Sequence, residues 1–304
     1  MQQAHFEYTQ NVRMIFRHCI GRWPSSSELR CLIGMDPDKA PHLDFVIKSI
    51  VSSRDYLKAN SHSLAFKKLF FFEIPKAAGT SIINAIRISC NPWVIAPVPA
   101  KTVSGYETGD APDEFRGYDV YLGRFSRTFY QMICPGFPYI INFRNPIDRV
   151  LSLYNHFRDE ASTGHSCAPL MDAADVCIQA ARTLSFSDFV ASEHPDIRAW
   201  ISDFQFRQLS FQPLSAGIGD AALNSVLAFV DKALVSYIYE YPDISERAFR
   251  QTLGVASIPH VNPRAGYDGT IGRSEIALET QSLINALNQR DLRIYQHAVD
   301  RIFS

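Results

Sequence analysis

Lys76, Gly79, Thr80 and Ser81 stand together in the segment Ile74-Pro75-Lys76-Ala77-Ala78-Gly79-Thr80-Ser81, directly after the apolar run 69–72. Residue types in this order can hold a phosphate or sulfate. A helix N-terminus after a strand and a tight loop presents unpaired N–H groups and a partial positive charge. The hydroxyls of Thr80 and Ser81 add donors. Gly79 lets the backbone come close to an anion, and Lys76 brings a full charge to the mouth of the loop. The plainer alternative makes Thr80 an ordinary N-cap after a strand–helix turn, and the lysine tips the reading toward anion binding. The segment is not a nucleoside-triphosphatase loop. That motif, GxxxxGK[ST], places Lys directly before Ser or Thr. Here Lys76 precedes Thr80 by four residues, and the motif occurs nowhere in the chain.

A second constellation runs from Tyr139 to Tyr154: Tyr-Ile-Ile-Asn-Phe-Arg-Asn-Pro-Ile-Asp-Arg-Val-Leu-Ser-Leu-Tyr. Arg144 ends an apolar strand, and Pro146 suits the first position of a helix. Ser152 shares a helix face with Asp148 and His156. A guanidinium and a hydroxyl converging there fit a second phosphate. An Arg144–Asp148 ion pair beside a small buried serine is the equal alternative.

Residues 71–81 resemble the 5'-phosphosulfate loop of Golgi-type carbohydrate sulfotransferases and their bacterial relatives, commonly His-Ile-Pro-Lys-Thr-Gly/Ala-Gly-Thr-Ser. Residues 144–154 resemble that family's 3'-phosphate motif, Arg-Asp-Pro-x-x-Arg-x-x-Ser-x-Tyr, with Asn145 in place of the Asp. Residues 202–210 are similar to its Asn-x-Gln-Thr-Arg-x-Leu segment, and residues 260–266 to an Asn-containing loop before its last helices. The resemblance covers residues 66–304. It implies 3'-phosphoadenosine 5'-phosphosulfate (PAPS) as sulfuryl donor, with 3'-phosphoadenosine 5'-phosphate (PAP) as product and no metal. It assigns Pro75, Lys76, Ala77, Ala78, Gly79, Thr80 and Ser81 to the phosphosulfate and Arg144 and Ser152 to the 3'-phosphate. Arg207 would line the nucleotide or substrate cleft, and Arg264 would be a further anion ligand or a solvated loop arginine. The implied reaction is in-line transfer to a hydroxyl of a carbohydrate or glycan, with Lys76 neutralising charge on the leaving oxygen.

Two family histidines are replaced. Glu73 stands where relatives carry His before Ile-Pro-Lys. Arg124, in Tyr121-Leu122-Gly123-Arg124-Phe125, stands where many carry the histidine taken as the base. Arginine stays protonated and cannot be that base. Both positions fall at the carboxyl edge of a parallel sheet and should be neighbours. Either they form a structural ion pair, or Glu73 is the base and Arg124 orients it. Pairing lowers the basicity of a carboxylate and favours the first. His156 is the second candidate base, matching a histidine in some six-O-sulfotransferase-like relatives, against a reading as a core histidine. Glu107, Asp110, Asp113 and Glu114 weigh against a polyanionic acceptor and favour a neutral or weakly charged sugar. Tyr106, Tyr118, Tyr121, Phe125 and Tyr130 suit sugar stacking or core packing equally.

The elements that must position these residues read as an α/β fold: a P-loop-like central parallel sheet flanked by helices, with a small all-helical N-terminal module. Strands are expected at 69–74, 93–98, 119–123, 137–143 and 233–239. Helices are expected at 80–89, 147–158 and 291–303. Residues 1–60 form the module. Phe6, Val12, Ile15, Phe16 and Cys19 lie at helical spacing, Gly21 ends that helix, and Ser25 with Glu28 makes a capping box. A third helix follows Pro41. This stretch resembles DUF4214-type modules of bacterial glycan enzymes. Residues 59–63 read as a linker, and 64–304 as the catalytic domain.

Composition narrows the partners. The 304 residues carry a net charge of −1 and are 46% hydrophobic. No global basic field recruits nucleic acid. Six cysteines show neither CxxC nor zinc-ligand spacing, as in a reducing compartment. Residues 1–10 lack the features of a signal peptide, and no apolar run approaches a membrane span. A cytoplasmic protein is expected. Two rival functions remain: a P-loop-like kinase, disfavoured by the missing GK[ST] and by the Arg144/Ser152 site, and a non-catalytic nucleotide-binding or scaffold descendant, kept open by the lost histidines.

Overall fold

Leu69–Phe72 forms strand β1 with all four side chains buried. Burial on both faces is why the run is apolar without alternation. Three more parallel strands flank it: β2 (Val120–Gly123), β3 (Tyr139–Phe143) and β4 (Val235–Ile238), in the order β2-β1-β3-β4. The computed structural model describes residues 2–20, 22–33, 50, 64–90, 94–96, 115–163, 171–210, 220–255, 258 and 271–304. Of the segment expected as a strand at 93–98, residues 94–96 are described, and Ile95 makes a parallel bridge to Val120 at the β2 edge.

Helices cover both faces of the sheet. On one face Phe70, Phe72, Ile141 and Phe143 pack with Phe229 of the helix Asp220–Asp231 and Ile294 of the helix Gln289–Phe303. On the other, Leu69, Phe71, Ile140 and Tyr237 pack with Ile82 and Ile86 of the helix Gly79–Ser89 and with Phe249 of the helix Pro242–Leu253. A third cluster joins the helix Pro146–Thr163 to its helical neighbours through Val150, Phe157, Phe189 and Ile201. Connections leave β1 toward β2 on one side and return to β3 on the other. Ligands of open parallel sheets bind at the carboxyl ends of the strands at such a switch point.

β1 ends before the expected residue 74. Glu73 N–H still bonds Gly123 O at 3.0 Å. The ladder then stops, because Ile74 N–H turns to the Asn142 side chain and Pro75 has no N–H. Tyr121, Phe125 and Tyr130 belong to the aromatic core, at most 4% exposed. Phe125 stacks on Phe129 at 4.5 Å, and Tyr121 Oη donates to Phe115 O at 2.6 Å. These three are therefore not sugar platforms.

At the N-terminus, Gln2–Ile20 and Ser26–Ile33 are helices joined by a cluster of Val12, Phe16, Ile33 and Ile50. The capping box is present: Glu28 N–H donates to Ser25 Oγ at 3.3 Å, and Ser25 N–H donates to Glu28 Oε2 at 2.7 Å. Hydrogen bonds from Arg22 and Ser25 hold the Glu28 carboxyl down at about 2. The segment 34–49, which holds most of the expected third helix, lies outside the described residues, as do Tyr106, Arg264, the acidic loop 107–114 and the segment 260–266. Cys134 and Cys177 are buried free thiols, pushed up to about 12 by burial. No helix among the described residues is long and apolar enough to cross a membrane.

Candidate functional site

The loop between β1 and the helix Gly79–Ser89 holds two non-glycine residues in the left-handed region, Lys76 (φ 69°) and Ala78 (φ 68°). Each such residue costs about 1–2 kcal/mol. Alternation of hand along a loop folds successive N–H groups into an anion-binding concavity. Ala78, not Thr80, is the N-cap, and no side chain caps the helix there. The plain N-cap reading of Thr80 is thereby removed. Thr80 is exposed, Ser81 is buried and Lys76 is half-buried.

Asn142 holds this strained loop in place. It is fully buried on β3. Its Oδ1 accepts from Ile74 N–H at 2.6 Å, and its Nδ2 donates to Ile74 O at 3.0 Å and Ala77 O at 2.6 Å. Motif reading passes over this residue. The available signal was a single polar residue in an otherwise apolar strand, which when buried must be hydrogen-bonded.

Arg144, just past the end of β3, donates from Nη1 to Lys76 O at 2.8 Å, and its guanidinium lies 3.9 Å from the centre of the Tyr239 ring. The turn that carries it is held from outside: Asn145 N–H donates to Glu240 Oε1 at 2.9 Å. Asp148 pairs with Arg273 rather than with Arg144, so the alternative reading of an Arg144–Asp148 pair does not hold. Ser152 is half-buried two turns into the helix Pro146–Thr163, and His156 lies one turn further, its ring 6.1 Å from that of Phe157. Arg207 donates from Nε to Ser202 O at 3.0 Å and from Nη2 to Ala199 O. As placed, it closes the C-terminal end of the helix Pro195–Ile201.

Residues 65–258 match the family model Sulfotransfer_2, described as the sulfotransferase family. The chain belongs to the sulfotransferase family. Sulfuryl transfer is the chemistry of that family, and the match leaves residues 1–64 and 259–304 outside it. Among curated proteins no sequence matches this chain.

At the carboxyl ends of β1 and β2, the register pairs Phe72 with Gly123. The next residues, Glu73 and Arg124, therefore emerge side by side, with Arg124 Nε 3.9 Å from Glu73 Oε1. The Glu73 side chain is 13% exposed. It lies against Gly79, where a Cβ would come 2.4 Å from Glu73 Cγ and Oε1. A side chain at position 79 would thus displace Glu73, whatever an anion needs there. Burial pushes the Glu73 carboxyl up from 4.5 and outweighs the nearby charges of Arg124, Lys76 and Arg87, which pull it down. Ion pairing therefore does not leave Glu73 a weak base.

The sign of this shift gives a prediction. The folded chain holds the Glu73 proton more tightly than the unfolded chain does. Stability contributed by this site is present below 4.5 and declines as pH rises through the raised folded value. Glu73→Gln stays neutral at every pH. It is expected to melt above the parent at about pH 8 and level with it at about pH 4. Equal melting temperatures at both would show that the buried carboxylate carries no penalty.

Proposed function

We propose that this chain transfers the sulfuryl group of PAPS to a hydroxyl of a carbohydrate or glycan by in-line displacement, releasing PAP. One observation carries the reading: the Arg144 guanidinium bonds the Lys76 carbonyl across 68 residues of sequence. Two anion-binding loops at the ends of neighbouring strands thereby form one site, suited to a ligand with an anionic group at each end. Residues 75–81 suit the 5'-phosphosulfate through the first turn of the helix, the Ser81 hydroxyl and Lys76. Arg144 and Ser152 suit the 3'-phosphate.

PAPS, when bound, supplies an activated sulfuryl group. The acceptor oxygen bonds to sulfur as the bond from sulfur to the bridging oxygen breaks. Lys76 neutralises the charge that appears on that oxygen. The acceptor's proton passes to the Glu73 carboxylate, which burial keeps basic and Arg124 orients. His156 is the other candidate for that proton. The acidic stretch 107–114 supports a neutral or weakly charged sugar as acceptor.

A thermal-shift titration with PAP and with ATP tests the donor, and transfer of radiolabelled sulfate from PAPS to a glycan panel tests the reaction. PAP is expected to raise the melting temperature and ATP to leave it unchanged, with label appearing on at least one neutral glycan. Stabilisation by ATP alone would replace the reading with a kinase-like one. PAP binding without transfer to any glycan would indicate a non-catalytic descendant.

A further inference from the structure

The six-residue helix Phe204–Leu209 touches the main chain at the ends of three strands. Gln205 Nε2 donates to Arg144 O at 3.1 Å, and Arg144 N–H donates to Gln205 Oε1 at 3.3 Å. Gln208 Nε2 donates to Glu73 O at 2.9 Å and to Phe125 O at 3.2 Å. Spaced three apart, the two glutamines share a helix face. One grips the turn after β3. The other ties the end of β1 to the end of β2.

The helix that carries them is itself locked. Asp291 accepts from Gln205 N–H at 3.0 Å and from Phe206 N–H at 2.7 Å. In return Asp203 accepts from Arg290 N–H at 3.0 Å and from Asp291 N–H at 3.2 Å. Each aspartate thus caps the helix that carries the other, so the glutamines cannot slide along the sheet edge.

Gln208 is a poor device for stability. Both partners of its amide nitrogen are carbonyls, so the amide cannot be turned round without setting oxygen against oxygen. That fixed orientation leaves Gln208 Oε1 buried with no hydrogen-bond partner among the described residues. An unmet buried acceptor costs about as much as the two donated bonds contribute. What remains is geometry: the spacing of Glu73 and Arg124, each adjacent to a gripped strand end. Gln205 differs, being fully buried with both ends of its amide bonded.

We propose that Gln205 and Gln208 are positioning residues with divided tasks: Gln205 sets the turn that presents Arg144 to the donor, and Gln208 sets the β1–β2 edge that presents Glu73 and Arg124 to the acceptor. Both halves take donor and acceptor from the function proposed above, but the setting of Glu73 and Arg124 by Gln208 is tested without either ligand.

The test uses the full chain with PAP as probe. Calorimetry reads PAP affinity. Carbon-13 NMR of labelled glutamate carboxyls, with Glu73→Gln to assign the signal, reads the titration of Glu73 in the field of Arg124, Lys76 and Arg87. Gln205→Glu keeps the acceptor but loses the donor to Arg144 O. It is expected to weaken PAP about tenfold and to leave the Glu73 midpoint in place. Gln208→Met removes both donated bonds at similar volume. It is expected to move the Glu73 midpoint by about half a unit or more, with PAP affinity and melting temperature held. If both variants move both readouts alike, or neither moves its own, the division of tasks is wrong. If the parent chain does not bind PAP, the donor reading fails and takes the Gln205 half with it. The Gln208 half still stands or falls on the titration.

Discussion

Lys76→Met is expected to lower sulfuryl transfer by about 100- to 1,000-fold, the loss typical of removing one preorganised charge-stabilising donor. The substitution isolates the ammonium group. What Arg144 bonds is the Lys76 main-chain carbonyl, and methionine keeps that carbonyl. Methionine also meets the same left-handed backbone at φ 69°, so strain in the loop is unchanged. The fold should hold, with a melting temperature near that of the parent. A second signature follows from Glu73. Lys76 is one of the charges that pull the Glu73 carboxyl down, so its loss leaves that carboxyl higher still. The acid limb of the pH–rate profile should then move to higher pH. Rates with labelled PAPS and calorimetry with PAP measure both effects. Transfer within about threefold of the parent would remove Lys76 from the chemistry.

The sheet was legible because each strand is buried on both faces and so reads as an apolar run, interrupted only by Asn142 in β3 and Ser236 in β4. The Glu73–Arg124 neighbourhood was legible for a related reason. Each follows directly on its strand, and a parallel register brings equivalent ends together. What stayed hidden depends on contacts between segments. The four-residue spacing of Arg144 and Asp148 suggests an ion pair between the strand end and the helix that follows, yet Asp148 meets Arg273, 125 residues away. Tyr121, Phe125 and Tyr130 carry no mark that separates a sugar platform from a core residue. Glu73 was expected to be weakened as a base by its partner. The opposite direction comes from desolvation, and desolvation is decided by what packs around a residue. Gly79 looked like a glycine that serves the anion. It also makes room for a side chain six residues earlier, and no motif records that. Gln205 lies inside the similar segment 202–210, but what it touches, the peptide of Arg144, is 61 residues away.

Asn142→Leu should show how far the cradle depends on support from outside the loop. The Ile74 N–H, the Ile74 carbonyl and the Ala77 carbonyl all satisfy themselves on this one amide, and both residues are fully buried. Leucine has nearly the same shape and can meet none of them. An abandoned buried polar group costs about 1–3 kcal/mol. Partial relaxation of the loop toward water should reduce the total to about 2–4 kcal/mol of lost stability, read by chemical denaturation. Relaxation has its own consequence. The left-handed conformations of Lys76 and Ala78 persist only while the surroundings enforce them. A loop released from Asn142 should fall back to ordinary backbone angles, and PAP should then no longer raise the melting temperature. Asn142→Asp sharpens the test. An ionised carboxylate still accepts from Ile74 N–H but presents negative charge to two carbonyls, so it should be worse than leucine at neutral pH. In acid it regains one O–H donor, and part of the lost stability should return. A leucine variant within about 1 kcal/mol of the parent that still responds to PAP would mean that the loop holds its shape unaided.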